Sequence, residues 1–385
     1  MSNKKLAILV ATGALAVAPL AAQALDAELY GEAHLSIDYL DNENTSATNE
    51  SSAVSVSSNT SKLGFRGKEK LSDNLAAVWQ YESEVKLDQG DIAVKGRDSY
   101  AGLEGSWGLL KAGRLSTSMK SASSKIDIFT NSRADHNVIV GVVNGAKDFD
   151  SRLNNTIRYT TPNWGGVYLN LSYTPDTGED ALPSKLVTPK KSVTSFSLSY
   201  DKGPLYLALS AESKKDAKLK DNEQYDGVSA TQFVGRWDFG RGTKMALVYE
   251  DAESAVGAKY EATIDSPVTV VDGALATTST LISSAAADGE GRSAVYLNFS
   301  HKVGNTTWKA AYGQADDLDN RAGTGAKHYA LAFYQTYSKD TQLYLLYTAT
   351  DNDANAQYGL KDMKGIEGKT FSALSFGIKK RFSTK

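Results

Sequence analysis

The side chains best suited to acid–base or metal chemistry are few and scattered along the chain. The histidines are His34, His136, His301 and His328, and no H-x-x-x-H pair has the spacing that presents two zinc ligands on one helix face. Asp135 precedes His136, but no G-x-S-x-G motif supplies a nucleophile for an acid–base pair. We therefore interpret these two as polar loop residues and predict no catalytic residues.

Acidic clusters are the other candidates for a metal site. The runs at 316–319 and 351–353 contain several aspartates, but they lack the ligand spacing and the glycine of a calcium loop. The chain has no cysteine, which excludes thiolate ligands and a disulfide framework. The sequence predicts neither a metal site nor a cofactor, and the acids are interpreted as solvated loop residues.

The composition favours strands over helices. The 385 residues include 42 basic and 45 acidic ones, a near balance that predicts no nucleic-acid partner. Glycine (32) and tyrosine (20) are plentiful while proline (7) is scarce. This mixture is typical of many strands joined by polar turns.

The first residues have the pattern of a targeting segment. Lys4 and Lys5 precede a short apolar stretch, Leu6–Leu20, and an A-x-A cleavage site at 22–24. We predict a cleaved signal peptide over 1–24 and a mature chain over 25–385. Later apolar runs are short and broken by charges, so we expect an exported protein that is soluble, secreted or a barrel in the outer membrane.

Alternation with a period of two dominates the rest of the chain. Leu374, Phe376 and Ile378, for example, alternate with Ser375, Gly377 and Lys379. Because side chains of a strand point to opposite faces in turn, each such segment has one apolar and one polar face. A soluble β-sandwich alternates in the same way, so this pattern alone leaves both folds open.

The lengths of the connections favour the barrel. Short turns such as Glu69–Ser72, Lys202–Gly203 and Lys339–Asp340 alternate with long polar connections, of which Ser116–Ser151 and Ala255–Gly289 are the longest. Asp41–Ala53, Asp176–Lys190 and Lys214–Tyr225 are further long connections, and the shorter Asp88–Val94 takes the same place in the order. A membrane barrel has this rhythm because tight turns lie at one end and long loops at the other. The segments number roughly sixteen, the even number expected of a bacterial single-chain barrel.

Several stretches resemble the general Gram-negative porins, trimeric channels with sixteen strands. They are 61–75 (SKLGFRGKEKLSDNL), 97–103 (RDSYAGL), 108–114 (GLLKAGR), 154–162 (NNTIRYTTP) and 376–382 (FGIKKRF). The resemblance implies an all-β, antiparallel transmembrane barrel in the outer membrane, with long external loops and short periplasmic turns. It also implies a homotrimer surrounded by lipid and lipopolysaccharide, a water-filled channel for small hydrophilic solutes and ions, and no enzymatic activity.

The same resemblance implies a constriction formed by the third loop. That loop corresponds to 116–151, folds into the lumen, and faces a basic wall at the positions Lys62, Arg97, Arg114 and Arg152. Asp127 and Asp135 are the loop acids expected to face that wall. Further lumen charges are expected at Glu32, Arg66, Arg133 and Arg158.

Alternation gives independent support for part of this assignment. Lys62 shares a face with Arg66, opposite Leu63 and Phe65, and charge on the lipid face would cost ~2–4 kcal/mol at the membrane centre. Counting in the same way puts Arg152 on the face of Asn154, Thr156 and Arg158, and Glu32 on the face of Glu28, Tyr30 and His34. These residues are therefore assigned to the lumen.

Other interpretations remain open at this point. A substrate-selective channel on the same barrel, for organic acids or sugars, would show an aromatic path or a funnel of one charge sign. A barrel hydrolase would need a catalytic constellation at its rim. A secreted β-sandwich would lack the alternation of long and short connections.

Overall fold

The computed structural model describes residues 26–43, 52–147, 149–175, 191–216, 228–254, 263–264, 269–271, 274–276, 280–281 and 291–385. The predicted signal peptide, 1–24, and the expected loops around 44–51, 176–190 and 217–227 lie outside these residues. Among the described residues, no helix is long and apolar enough to cross a membrane.

Sixteen antiparallel strands form the wall, two of which, β2 and β4, are each interrupted once. The strands are β1 (Asp26–Asp41), β2 (Ser52–Ser58 and Lys62–Ser72), β3 (Leu75–Lys86), β4 (Asp91–Gly96 and Ser99–Gly105), β5 (Gly108–Ser116), β6 (Arg152–Thr160), β7 (Val167–Thr174), β8 (Lys191–Lys202), β9 (Leu205–Asp216), β10 (Val228–Gly240), β11 (Thr243–Ser254), β12 (Arg292–Val303), β13 (Thr306–Ala315), β14 (Ala326–Ser338), β15 (Thr341–Asn352) and β16 (Phe371–Ser383).

The sheet closes on itself through β1. Residues 30–41 of β1 pair with 383–372 of β16, and the same strand pairs on its other edge with both segments of β2. Among the described strands, each of the sixteen pairs with a neighbour on both sides along part of its length, as a β-structure that crosses a bilayer requires. The segments Ser52–Ser58 and Asp91–Gly96 pair along one edge only, with β1 and β3. The prediction of a sixteen-stranded antiparallel barrel is therefore confirmed.

The alternation of apolar and polar residues corresponds to the outer and inner faces of the wall. Leu374, Phe376 and Ile378 of β16 are 45%, 55% and 40% exposed, whereas Ser375 between them is 1% exposed. Within its described residues, each wall strand has at least one large exposed apolar side chain, and β3, β4, β5, β6, β9 and β13 have one each. An apolar outer surface of this kind is the surface that contacts lipid.

Two of the predicted turn positions were wrong by a few residues. The turn expected at Glu69–Ser72 lies at 73–74, because β2 continues through Ser72. The connection expected over Asp88–Val94 is a turn at 87–90, after which β4 begins at Asp91. Charged residues suggested loops in both places, but the ends of a barrel strand extend beyond the apolar band and tolerate charge.

Short elements occur in two connections. The third loop contains helix α1 (Ser118–Ser123), a 3-10 turn (His136–Val138) and a hairpin of Val142–Val143 with Ala146–Lys147. Between β11 and β12, Thr263–Ile264 pairs with Thr280–Leu281 and Thr269–Val271 pairs with Ala274–Ala276. The third loop is the element that positions the candidate site.

Candidate pore constriction

The third loop enters the barrel through helix α1. The side chain of Thr117 caps the helix by accepting a hydrogen bond from the backbone N–H of Lys120. The next backbone N–H groups donate to the wall, from Ser118 to Ser172 Oγ (3.1 Å) and from Met119 to Ser195 Oγ (3.0 Å). The start of the loop is thus fixed to the inner faces of β7 and β8.

The middle of the loop continues around the wall. Its backbone carbonyls accept hydrogen bonds from inward side chains: Tyr206 to Ala122 (3.0 Å), Asn298 to Ile126 (3.0 Å), Lys309 to Ile128 (2.7 Å) and Lys379 to Thr130 (3.2 Å). These donors belong to β9, β12, β13 and β16. Successive carbonyls of the loop therefore contact successive regions of one side of the barrel.

Apolar burial strengthens this attachment. Phe129 is fully buried against inward residues of β14 and β15, among them Tyr334 and Leu346. Burying a phenylalanine side chain contributes ~1.5–3 kcal/mol, more than a typical hydrogen bond. A solvated external loop would leave such apolar side chains exposed to water. Their burial against the wall accounts for their presence in this loop.

A buried ion pair holds the far part of the loop. Glu250 of β11 and Arg292 of β12 lie 2.7 Å apart, and both side chains are 0% exposed. Glu250 also accepts from the backbone N–H of Gly141 (2.9 Å), and Arg292 donates to the carbonyl of Ile139 (3.2 Å). The pair therefore connects two wall strands to the loop.

Arg133 ties the loop to β1 and to the last loop. Its guanidinium pairs with Asp38 of β1 at 3.0 Å and donates to the carbonyl of Lys361 at 2.8 Å. It donates in addition to Ser57 Oγ at 2.5 Å. Arg133 is predicted from the sequence to be a lumen charge. In the structure it attaches the loop to the wall, and 11% of its side chain is exposed.

The open side of the lumen lies opposite these contacts. The loop contacts described above go to β7–β9, β11–β16, β1 and the first segment of β2. They leave the second segment of β2 and the strands β3–β5 uncovered, and β6 contacts the loop through Arg158, so we infer that the passage runs along the inner faces of β2–β6. Three of the four predicted basic residues, Lys62, Arg97 and Arg152, begin or interrupt strands of this side. We name the inner face of β2–β6 the open half-wall and that of β7–β16 with β1 the covered half-wall.

Three irregularities of the open half-wall position these cations. β2 breaks at 59–61, where Thr60 has φ +56°, and β4 breaks at 97–98. β6 has a bulge between Leu153 and Thr156, where Asn155 has φ +54°. A bulge re-aims the side chains beside it, and bulges are enriched next to functional sites.

The cations share wall carboxylates. Glu82 of β3 lies 2.5 Å from Arg97 and 3.5 Å from Lys62, and it accepts from the hydroxyl of Tyr30 at 2.9 Å. Asp98 lies 2.5 Å from Arg152. These pairs hold the basic side chains in place while leaving 15–25% of Arg97, Arg152 and Lys62 exposed to the passage.

Arg158 and Arg114 make different contacts. Arg158 reaches the start of the loop, donating to the hydroxyl of Ser121 (2.6 Å) and the carbonyl of Ser116 (3.2 Å). Arg114 donates to the carbonyl of Gly96 and to Asn154 Oδ1, both at 2.6 Å. Arg158 thus lies where loop and open half-wall meet, whereas the contacts of Arg114 are with the wall alone.

The remaining predicted lumen charges lie in a cavity nearer the short turns. Glu32 pairs with Arg381 at 2.7 Å, and Arg66 pairs with Glu28 at 2.6 Å. Glu32 and Arg66 line this cavity together with Lys62 and Glu82. The parity argument that assigned Glu32, Lys62 and Arg66 to the inner face agrees with this placement.

The two loop acids, Asp127 and Asp135, do not face the basic wall. Their side chains are 1% and 7% exposed and converge on His136, whose Nδ1 lies 3.2 Å from Asp127 and 3.4 Å from Asp135. Asp135 also caps the 3-10 turn by accepting from the N–H of Asn137. The expectation for these acids does not match the structure, because the loop uses them to stabilise its own fold.

Buried charged groups inside the loop shift one another's pKa values. Burial opposes ionisation of Asp150, but Lys120 at 3.1 Å and His136 hold the pKa of that carboxyl well below its usual range. Burial likewise opposes the charge on His136, yet the carboxylates of Asp127, Asp135 and Asp150 raise its pKa well above the ordinary value. The loop therefore carries its charges as internal pairs.

Sequence reasoning missed several charged residues of the site. Glu82 and Asp98 lie within stretches that resemble the family, but no pattern in the sequence pairs them with Arg97 and Arg152. Lys361 belongs to the last loop and binds the third loop through its backbone. Its N–H donates to the backbone carbonyl of Arg133 (3.2 Å). Alternation could have placed Glu82 on the inner face, since Tyr81 beside it is 56% exposed.

The closed barrel, its apolar outer face and a loop lying inside the lumen define a channel-forming protein of the porin class. The model of the family described as Gram-negative porin matches residues 9–355. Because this match covers most of the chain, the protein belongs to the Gram-negative porin family, whose members are channels rather than enzymes, and its location is the outer membrane.

Individual relatives agree with this family. The major outer membrane protein P.IB of Neisseria sicca is 32% identical over 164 residues, 42% of this chain and 45% of that protein. The chain therefore spans about half the length of this curated relative in the alignment.

Solved structures share the fold. The anion-selective porin from Comamonas acidovorans superposes with a TM-score of 0.70 at 23% identity, over 92% of this chain and 99% of that one. The trimer form of OmpT from Vibrio cholerae gives a TM-score of 0.59 at 14% identity, over 92% and 99% of the two chains.

Proposed function

We propose that the protein is a water-filled channel through which small hydrophilic solutes and ions diffuse passively across the outer membrane, and that it catalyses no reaction. The observation that carries this proposal is the division of the lumen. One half of the inner wall is covered by the third loop, and the other half remains lined by polar and charged side chains. Such a passage suits hydrated solutes and penalises apolar ones.

We further propose that the passage favours anions. The open half-wall contributes Lys62, Arg97, Arg152 and Arg158 against the carboxylates Glu82 and Asp98, which each serve more than one cation. The loop adds no unpaired acid from Asp127 or Asp135, because both are buried around His136. Fixed positive charge at a constriction raises the local concentration of anions.

The proposed assembly is a homotrimer embedded in lipid and lipopolysaccharide. This proposal is supported by OmpT of Vibrio cholerae, a protein of the same fold whose structure is described as a trimer form. Mature protein over 25–385, after removal of the signal peptide 1–24, is the proposed subunit. The lipid-facing side chains of β1 and β16, such as Ile37 and Phe376, supply an apolar surface on which subunits can pack.

Single-channel recording tests this function. Purified full-length protein in a planar bilayer is expected to give large, ohmic conductance steps, often in groups of three. Folded protein that gives no steps would contradict the proposal. Small events blocked by one solute would favour the alternative, a substrate-selective channel, and the basic passage makes organic acids the first solutes to try.

A further inference from the structure

The third loop contains a group of metal-ligating side chains that the proposed channel does not use. Asp127, Asp135 and His136 each offer one ligand atom, and these three atoms lie within 4.8 Å of one another. All three belong to the loop, so the group forms without any contribution from the wall. A mixed donor set of this kind differs from a cluster of surface acids.

The spacing corresponds to a first coordination sphere. His136 Nδ1 lies 3.2 Å from Asp127 Oδ2 and 3.4 Å from Asp135 Oδ1. Ligand atoms bound tetrahedrally at ~2.0–2.1 Å are separated from one another by about 3.3–3.4 Å. The two distances from His136 Nδ1 match this separation, and the two carboxylate oxygens lie within 4.8 Å of each other, so an ion bound between the three atoms would draw the carboxylates closer together.

Two of the ligand atoms lack a hydrogen-bond partner although they are buried. Asp127 Oδ2 and His136 Nδ1 belong to side chains only 1% and 2% exposed, and neither makes a hydrogen bond with suitable geometry. The other oxygen of each acid is occupied, since Asp127 Oδ1 accepts from Phe129 N–H (2.8 Å) and Asp135 Oδ2 from Asn131 N–H (2.9 Å). The third ligand atom, Asp135 Oδ1, accepts one hydrogen bond, from Asn137 N–H (3.0 Å), and retains a lone pair for an ion. Unpartnered buried polar atoms are rare and call for an explanation.

The far side of the imidazole is supported as in metal sites. His136 Nε2 lies 3.3 Å from Ser123 Oγ, 3.3 Å from Asn137 Nδ2 and 3.7 Å from Asp150 Oδ2, and the hydroxyl of Ser123 donates to Asp150. A histidine bound to a metal commonly donates its other N–H toward a carboxylate, directly or through such a group, which orients the ring.

From this geometry we propose that Asp127, Asp135 and His136 bind a divalent transition-metal ion inside the third loop, with Zn²⁺ as the ion that suits one imidazole and two carboxylates best. The ion takes the place of a proton on His136 Nδ1, and that proton passes to the solvent. It would join the residues after α1 to the 3-10 turn and so stiffen the loop that narrows the passage.

Cobalt binding tests the proposal independently of conductance. Full-length folded protein in detergent is treated with EDTA, dialysed and titrated with Co²⁺, whose visible absorption is intense only in tetrahedral sites. We expect one tetrahedral Co²⁺ per chain, displaced by one equivalent of Zn²⁺. Wild-type protein that shows only the weak absorption of hydrated Co²⁺ would overturn the proposal.

Variants then assign the ligands. Asp127→Asn keeps the oxygen that accepts from Phe129 and should weaken Co²⁺ binding more than ~10-fold, while Asp150→Asn should weaken it ~10–100-fold as a supporting residue does. Asp316→Asn and His301→Gln, outside the site, serve as matched controls and should bind as wild type does. Equal affinity of wild type and Asp127→Asn would contradict the assignment, and the heat-dependent gel mobility of each variant reports whether its barrel has folded.

Discussion

The two halves of the inner wall use the same alternation of strand residues for opposite purposes. On the covered half-wall, inward polar side chains such as Ser172, Ser195 and Asn298 accept from or donate to the backbone of the third loop. On the open half-wall, Lys62 and Arg97 pair with the wall acid Glu82 and keep part of their surface exposed to the passage.

The difference shows what each half requires of its sequence. The covered half-wall has a buried interior, with Tyr206, Tyr296 and Tyr334 at most 1% exposed, and the register shifts of its strands β10 and β14 lie beside short turns, at 238–240 and 336–338. The open half-wall has the breaks at 59–61 and 97–98 and the bulge in β6. Strands that are uninterrupted beside the loop support it, and strands interrupted near Lys62, Arg97 and Arg152 direct these charged groups toward the solute.

The largest expected effect comes from breaking the buried ion pair of the covered half-wall. Arg292→Met leaves Glu250 buried without its cation, and removing one partner of a buried pair costs about 3–5 kcal/mol. The part of the loop around Gly141 should detach, so conductance should rise and become noisier in bilayer recordings. Unchanged conductance and unchanged protease resistance of the loop would show that the pair is not the anchor.

A smaller loss is expected from Lys309→Met. The ammonium of Lys309 donates to the carbonyl of Ile128 at 2.7 Å and lies 3.7 Å from the ring centre of Tyr334. Hydrogen bonds from charged groups contribute ~1.5–3 kcal/mol, and methionine keeps most of the apolar contact. Urea unfolding in lipid vesicles should show a smaller loss of stability for Lys309→Met than for Arg292→Met. A larger loss for Lys309→Met would reverse the proposed ranking.

On the open half-wall the expected effect is on selectivity. Replacing Arg97 and Arg152 by glutamate puts negative charge beside Glu82 and Asp98, so preference should move from anions toward cations by several-fold, or roughly 1 kcal/mol. The reversal potential in a KCl gradient measures this shift. Arg66→Glu is the matched control and should shift the reversal potential less, because the Arg66 side chain is 53% exposed and its charge is therefore more strongly screened by solvent.

The smallest effect is expected at the short-turn end. Lys70 and Asp73 lie 2.8 Å apart, but their side chains are 71% and 94% exposed. Exposed pairs contribute about 0–1 kcal/mol, so Lys70→Met should alter neither unfolding in urea nor conductance measurably. A loss comparable to that of Lys309→Met would mean that burial does not determine the order of these effects.

The wall was largely predictable from sequence because its rule is local. Alternation placed Glu32, Lys62 and Arg66 on the inner face, and the lengths of the connections predicted sixteen strands. Alternation does not support the assignment of Arg152 to the face of Thr156 and Arg158, because the bulge between Leu153 and Thr156 interrupts it. A bulge depends on the pairing of two strands, which one segment of sequence does not reveal.

The loop was the least predictable part of the site. Its length and position indicated a constriction, but Asp127 and Asp135 were expected to face the arginines. Their actual place around His136 depends on the folding of the loop against the covered half-wall, which is a tertiary effect. The pairing of Arg97 with Glu82 and of Arg152 with Asp98 is likewise a contact between strands distant in sequence.

The position of the loop can be measured directly because the chain has no cysteine of its own. Single cysteines replace Gln80, which lines the open cavity, and Ser195, which is 2% exposed beneath the loop. A charged, thiol-specific methanethiosulfonate reagent is then added to open channels in a bilayer. The account predicts a rapid fall in conductance for Gln80→Cys and protection of Ser195→Cys; faster reaction at Ser195→Cys would contradict it.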